Sequence, residues 1–167
     1  MNIYQDLLGL KFSEVKDPKV WHKDVSMFEV KDKKSDNVLG HFYFDLYPRP
    51  DKFNHAACMG LLKREVNDGQ ISPTAVALVT NFSPGQPGQP ITLGHQELVT
   101  FFHEFGHVMH NICNEANFSR FAGGGGVEKD FVEMPSQMLE NWMWDPKILK
   151  IMSKHVKTGE QMPDDLI

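Results

Sequence analysis

The run from Leu98 to Cys113, Leu-Val-Thr-Phe-Phe-His-Glu-Phe-Gly-His-Val-Met-His-Asn-Ile-Cys, leaves the chain few choices. It is largely apolar, free of proline and long enough for about four helical turns. Inside it, His103-Glu104-Phe105-Gly106-His107 forms a His-Glu-x-x-His motif. Residues four apart on a helix share a face about one turn apart. His103 and His107 can therefore each give an imidazole nitrogen to one zinc ion, at the roughly 2.0–2.1 Å such bonds need. Glu104 points about 100° away from His103 on the helical wheel, a position suited to a general base for water rather than to a metal ligand. The neighbours Thr100, Phe101, Phe102, Phe105, Val108 and Met109 are uncharged, as a helix packed into a dry site requires. His110 shares the stripe but stands about 10 Å along the axis from His103, which suits packing or an outer hydrogen bond.

The rest of the composition narrows the setting. The chain has 167 residues, enough for one domain with a real core, and its 41% hydrophobic and 23% charged residues describe an ordinary globular protein. A net charge of −5 argues against a nucleic-acid or anionic-membrane partner. No apolar run approaches the length of a membrane helix, and Met1 to Leu10 does not read as a signal peptide. Cys58 and Cys113 can build neither a disulfide framework nor a metal cluster, so a reducing compartment is expected, with Cys113 a buried thiol on the motif helix.

In chain order, Tyr4 to Leu8 reads as a helix end closed by Gly9 and passing into an extended segment. Val25 to Val30 and Val38 to Tyr47 read as strands joined by a polar turn, an antiparallel hairpin. Phe53 to Val66 is ambiguous between loop and short helix. A turn at Asn67-Asp68-Gly69 leads into Ile71 to Phe82, whose centre, Ala75 to Thr80, is a nearly continuous apolar strand. Residues 83–90 are a Pro-Gly-rich loop, and Thr92 is the expected cap of a helix over His95 to Asn114. Gly123 to Gly126 reads as flexible backbone, and Asp130 as the cap of a helix over Phe131 to Trp142. A last helix is expected over Lys147 to Lys157. The sheet region thus covers about 10–82, the metal-site helices about 92–145 and the C-terminal helix about 147–157, all within one domain over 1–167.

Two histidines leave a catalytic zinc site one protein ligand short. A carboxylate on a following helix can supply it. Glu133, in Phe-Val-Glu-Met, is the best placed. Glu128 sits beside Lys129 in a polar segment, and Glu140, seven residues after Glu133, shares its helical face and can orient a ligand through a hydrogen bond.

The segments Phe102 to His110 and Asp130 to Trp142, Asp-Phe-Val-Glu-Met-Pro-Ser-Gln-Met-Leu-Glu-Asn-Trp, together resemble the thimet oligopeptidase and neurolysin family of zinc metallopeptidases. Tyr4 to Phe12 and Leu39 to Pro48 are similar to it too, so the resemblance covers nearly the whole chain. It implies zinc ligands His103, His107 and Glu133, with Glu104 as catalytic base. It also implies a zinc endopeptidase cutting short peptides, in cytosol or, alternatively, mitochondrion. The family's enzymes are mostly helical and several times longer, with tyrosine and histidine transition-state donors outside this sequence. The expectation is therefore an α+β, zincin-like catalytic core: a small sheet packed on the motif helix, a second ligand-bearing helix alongside, and the parent enzyme's missing segments as partners. By analogy with zincins, Ala77, Leu78, Val79, Thr80 and Asn81 are expected to pair with the substrate backbone as an added strand. The alternative is a non-catalytic zinc-binding or partner-binding module. Four glycines at 123–126 stand where the family has a shorter Gly-Thr-x-Val turn, so the register of Glu133 becomes a question for the structure.

Overall fold

The chain opens with helix α1 (Asn2–Leu8), closed by Gly9 at φ 66°, a left-handed backbone that favours glycine. A computed structural model describes every residue except 86, 87 and 89. The loop expected over 83–90 therefore lies partly outside the described residues. After Gly9 the chain turns into β1 (Leu10–Glu14), followed by β2 (Ser26–Asp32) and β3 (Val38–Asp45). The last two form the expected antiparallel hairpin, with an irregularity between Val30 and Lys31.

Where a loop or short helix was expected, the chain instead forms β4 (Ala57–Leu62) and β5 (Glu65–Asn67). The physical reason is pairing. β4 has no amphipathic period, and most of it is exposed, but it hydrogen-bonds along β7 (Thr74–Val79). Asp68 and Gly69, both at positive φ (49° and 77°), join β5 to β6 (Gln70–Ser72) in a separate two-stranded ribbon. The main sheet runs β1-β2-β3-β7-β4, with β7 parallel to β3 and antiparallel to β4. A small mixed sheet with helices makes the architecture α+β.

The order overturns one expectation. Ala77, Leu78 and Val79 are paired on both sides, and every residue of β7 is buried. Thr80 gives its N–H to the Asp45 carbonyl at 3.0 Å and its hydroxyl to Leu46, and Asn81 donates to Phe53. This strand has no free edge for a peptide. A continuous apolar run marks a central strand covered on both faces, and the edges of the sheet belong to β1 and β4.

Helix α2 (His95–Ile112) lies against this sheet, burying Val99, Phe102, Phe105, Val108, Met109 and Ile112. The Phe105 ring meets Phe42 edge-on at 5.1 Å, and Phe42 stacks on Phe28 at 5.0 Å. Tyr4, 1% exposed, donates its hydroxyl to the Phe102 carbonyl at 2.8 Å and so ties α1 to α2. The helix is closed by Glu97, whose carboxylate accepts the Gly94 N–H at 2.8 Å, and not by Thr92. Cys113, at its C-terminal end, is exposed.

The second helix is shorter than expected: α3 spans only Met134–Glu140, with Glu133 rather than Asp130 before its first turn, and a tighter turn follows over Asn141–Trp144. Pro135 explains the late start, because it is tolerated only in a first turn. The final helix α4 (Pro146–Met152) is also shorter, and the Asp145 carboxylate caps it through the Lys147 and Ile148 N–H groups. Among the described residues no helix is long and apolar enough to cross a membrane.

One polar cluster locks the sheet's inner end. Asp45, 3% exposed, accepts both Arg49 Nη atoms at 2.6 and 2.8 Å and Trp21 Nε1 at 2.9 Å, with Lys52 Nζ 3.0 Å away. Lys52 Nζ also donates to the carbonyls of Asp45, Tyr47 and Thr80, binding the ends of β3 and β7 together. Burial alone would raise the Asp45 carboxyl pKa, but the hydrogen bonds from Arg49, Trp21 and Lys52 outweigh it and hold the group well below the usual carboxylate range. A depressed folded pKa stabilises the protein fully above the unfolded value of about 3.9, and that stability is lost as pH falls through the folded value. Asp45→Asn leaves the Lys52 ammonium buried without its counter-charge. It is expected to cost about 3–5 kcal/mol in urea unfolding at pH 7 and to flatten the acid limb below about pH 4. A loss under about 1 kcal/mol, the scale of a surface pair, would contradict this account.

Candidate metal centre

The stripe that α2 buries leaves His103, Glu104 and His107 on its other side, facing a cleft of about 680 Å³. The imidazole rings stand 5.0 Å apart between centroids and nearly perpendicular, at 82°. Glu133 enters from the start of α3. Its Oε2 lies 3.1 Å from His103 Nε2 and 3.1 Å from His107 Nε2. His103, His107 and Glu133 are the one described group of three potential metal-ligating side chains, their donor atoms all within 4.8 Å of one another. Donors on one tetrahedral ion with bonds near 2.0–2.1 Å stand about 3.3 Å apart, so two imidazole nitrogens and one carboxylate oxygen at these separations suit a zinc ion.

Why Glu133 arrives there is a matter of helix packing. A Cβ on Gly106 would fall 2.7 Å from the Ser136 Cα and 3.3 Å from the Pro135 carbonyl. Only glycine lets α2 and α3 approach this closely. Ser136, fully buried at that contact, sends its hydroxyl to Glu133 Oε2 at 2.9 Å and to the Glu133 carbonyl at 2.8 Å. The carboxylate itself is about half exposed. Burial works to raise its pKa, but the Ser136 hydrogen bond and the nearby His107 and His103 bring it lower. Burial depresses the His107 pKa against the pull of Glu133 and so favours the neutral, lone-pair-bearing imidazole.

Glu104 is held differently. Burial raises its pKa; the adjacent His103 and the Cys58 backbone N–H on β4 partly offset this, while Glu133 adds to it. The carboxylate thus faces the cleft between α2 and the open-edged strand. Glu140, one turn beyond Ser136, places Oε2 3.4 Å from His103 Nδ1. His110 does not join the cluster: its Nδ1 is buried without a hydrogen-bond partner, and the Phe131 ring lies 6.2 Å away.

Across the cleft the four glycines take a defined backbone path. Gly123, at φ 66°, packs on Asn111 so tightly that a Cβ would collide with its side-chain oxygen at 2.0 Å, and Gly124–Gly126 form one tight turn. Asn111 in turn donates to the His107 carbonyl at 2.8 Å. Sequence reasoning passed over Gly106, Ser136, Asn111 and the wall made by β4. Gly106 did carry a signal: a glycine inside an apolar helix costs about 1 kcal/mol against alanine and so marks a contact that needs it.

The sequence profile of peptidase family M3 matches residues 1–167. The chain is similar to saccharolysin of Saccharomyces cerevisiae, 46% identical over 100% of this chain and 24% of the relative. It is also similar to the thimet-like oligopeptidase of Dictyostelium discoideum, 43% identical over 99% of this chain and 25% of the relative. Oligopeptidase A of Escherichia coli is 37% identical over 99% and 24%. The chain thus spans about a quarter of the length of these curated relatives.

Gly106→Ala tests the helix contact directly. Its added methyl gains about 1 kcal/mol of helix propensity but must displace the backbone at Ser136, and overpacking of this kind costs about 1–3 kcal/mol or more. Net destabilisation in urea unfolding is expected. An equal or higher midpoint would show that the helices do not touch there.

Proposed function

The chain belongs to peptidase family M3, and on that premise we propose that it forms the zinc-binding core of a metalloendopeptidase that hydrolyses short peptides. The observation that carries the reading is Glu133 Oε2 at 3.1 Å from both imidazoles of the His-Glu-x-x-His helix. His103, His107 and Glu133 hold the ion, in a zincin-like arrangement with the sheet behind α2. Zinc bound there supplies a Lewis acid for the scissile carbonyl and acidifies the attacking water.

The remaining work falls to the chain. Glu104 takes the proton from water and returns it to the leaving amine, and its burial makes it a better base than an exposed glutamate. Glu140 fixes the His103 ring through Nδ1, and Ser136 fixes the Glu133 carboxylate. A peptide adds along the open edge of β4, whose Ala57, Cys58, Gly60, Leu61 and Leu62 line the cleft. That edge replaces the expected Ala77 to Asn81 strand as the substrate's partner.

A second reading follows from the cleft itself: among its described lining residues no tyrosine offers a hydroxyl to a developing oxyanion. Missing one such donor costs about 10²- to 10³-fold in turnover. On this reading the chain by itself is a zinc-binding module whose turnover is low.

Native mass spectrometry of the purified chain is expected to show one zinc, lost in His107→Ala. Glu104→Gln is expected to keep the zinc and lower hydrolysis of a fluorogenic peptide by about 10²- to 10⁴-fold. Ser136→Ala is expected to weaken zinc binding about 10- to 100-fold in chelator competition. Zinc retained unchanged in His107→Ala would sink the site. Full activity in Glu104→Gln would sink the base.

A further inference from the structure

Glu104 and Glu133 both face the cleft, and Lys63 is the one lysine or arginine among its described lining residues. It follows directly on β4, past the register break between Gly60 and Leu62, at the end of the strand whose edge is open. Its Nζ lies 3.7 Å from where a Cβ would stand on Gly125, so the ammonium reaches toward the glycine turn, which has no side chain to meet it. Among the described residues no carboxylate pairs with Lys63. The neighbouring Arg64 is already committed, donating to the Ala116 carbonyl at 2.6 Å.

An uncommitted ammonium at the end of a peptide-binding edge has a natural counter-ion in the peptide itself. Cys58, whose backbone faces Glu104, marks the reacting end of β4. From there to Lys63 the chain advances four register positions, because the register break absorbs one residue, a rise of about 13 Å at 3.2–3.4 Å per position that a peptide lying along it matches. The lysine stem shortens the required match by a residue or two. We propose that Lys63 is a specificity-determining residue that selects peptides carrying a carboxylate about two to four residues from the bond to be cut. The inference rests on the peptidase reading above.

Two sources can supply that carboxylate. A peptide added antiparallel to β4 runs its amino-terminal part toward Lys63 and presents an Asp or Glu side chain. One added parallel runs its carboxyl-terminal part there and presents either a side chain or the terminal carboxylate. Lys63 is exposed, so the contact is of modest strength and screened by salt.

The test is equilibrium binding of labelled peptides to the zinc-loaded Glu104→Gln chain, which holds them uncut, read by fluorescence anisotropy. Peptides of about eight residues are made as pairs, with Glu or Gln scanned through each position and with a free or an amidated C-terminus. At low salt the charged member of one pair is expected to bind about two- to fivefold tighter, with the preference shrinking near 0.5 M salt. The pair that shows it identifies the side chain or the terminal carboxylate as the source. Lys63→Gln is expected to bring that ratio to about one, Lys63→Glu to invert it, and Lys63→Arg to keep it. A ratio untouched by Lys63→Gln and Lys63→Glu overturns the proposal. Equal binding of charged and neutral peptides overturns it while leaving the peptidase reading standing, and zinc-loaded protein that binds none of the peptides overturns both.

Discussion

The metal centre depends on one separation, that between α2 and α3 where Gly106 faces Ser136. Two histidines on a helix fix only two corners of a coordination site, and the third corner is brought by a different element whose position is free until something fixes it. Here the missing Cβ of Gly106 fixes it, because any larger side chain would meet the Ser136 backbone at 2.7 Å. The same contact buries Ser136, whose hydroxyl then has to find a partner. It finds the Glu133 carboxylate. One glycine and one serine thus set both the distance at which the carboxylate arrives and the direction it faces, while the surrounding helix is held by ordinary apolar packing on the sheet.

Beneath that site, rigidity comes from charge as well as from packing. Lys52 ties three carbonyls and the Asp45 carboxylate into one knot at the ends of β3 and β7. Breaking it would free the end of β7 and, with it, β4, which is held to the sheet by β7 alone. The cleft wall therefore stands on a buried ion cluster at one remove. This is a useful place for an electrostatic lock, since a strand with an open edge cannot be held by a second neighbour.

Local patterns were legible in the sequence, and long-range pairings were not. The spacing of His103 and His107, the left-handed stop at Gly9 and the hairpin of β2 and β3 are all encoded within a few residues of themselves. The convergence of Glu133 on the histidines also follows from its apolar neighbours and its place after the motif helix, although the helix begins at Met134, three residues later than the expected start at Phe131. What could not be read was which strand lay at the edge. Analogy with zincins pointed to Ala77 to Asn81 as the substrate's strand, yet the apolar run from Ala75 to Thr80 is the signature of burial between two neighbours. β4, apolar in composition yet mostly exposed, carried no period of its own and took its form from β7. In the glycine run, Gly123 at positive φ packs on Asn111 and Gly126 packs on the Phe121 backbone, contacts that composition alone does not show.

An open strand edge next to a reactive centre is a compromise between binding and self-association. Unpaired backbone groups are what a peptide needs to add a strand, and they are equally what a second copy of the protein could use. On β4 the hazard is sharpened by Leu61 and Leu62, 47% and 63% exposed. A charge at the strand's end is a common way to discourage edge-to-edge pairing, and Lys63 stands there. Edge protection alone is indifferent to the sign of that charge, because two like charges repel whichever sign they carry. A cleft already holding Glu104 and Glu133 is not indifferent: a positive group is the one that adds a site for an acidic ligand instead of deepening the local negative field. The sign of residue 63 therefore belongs to recognition, while its charged character as such serves the fold.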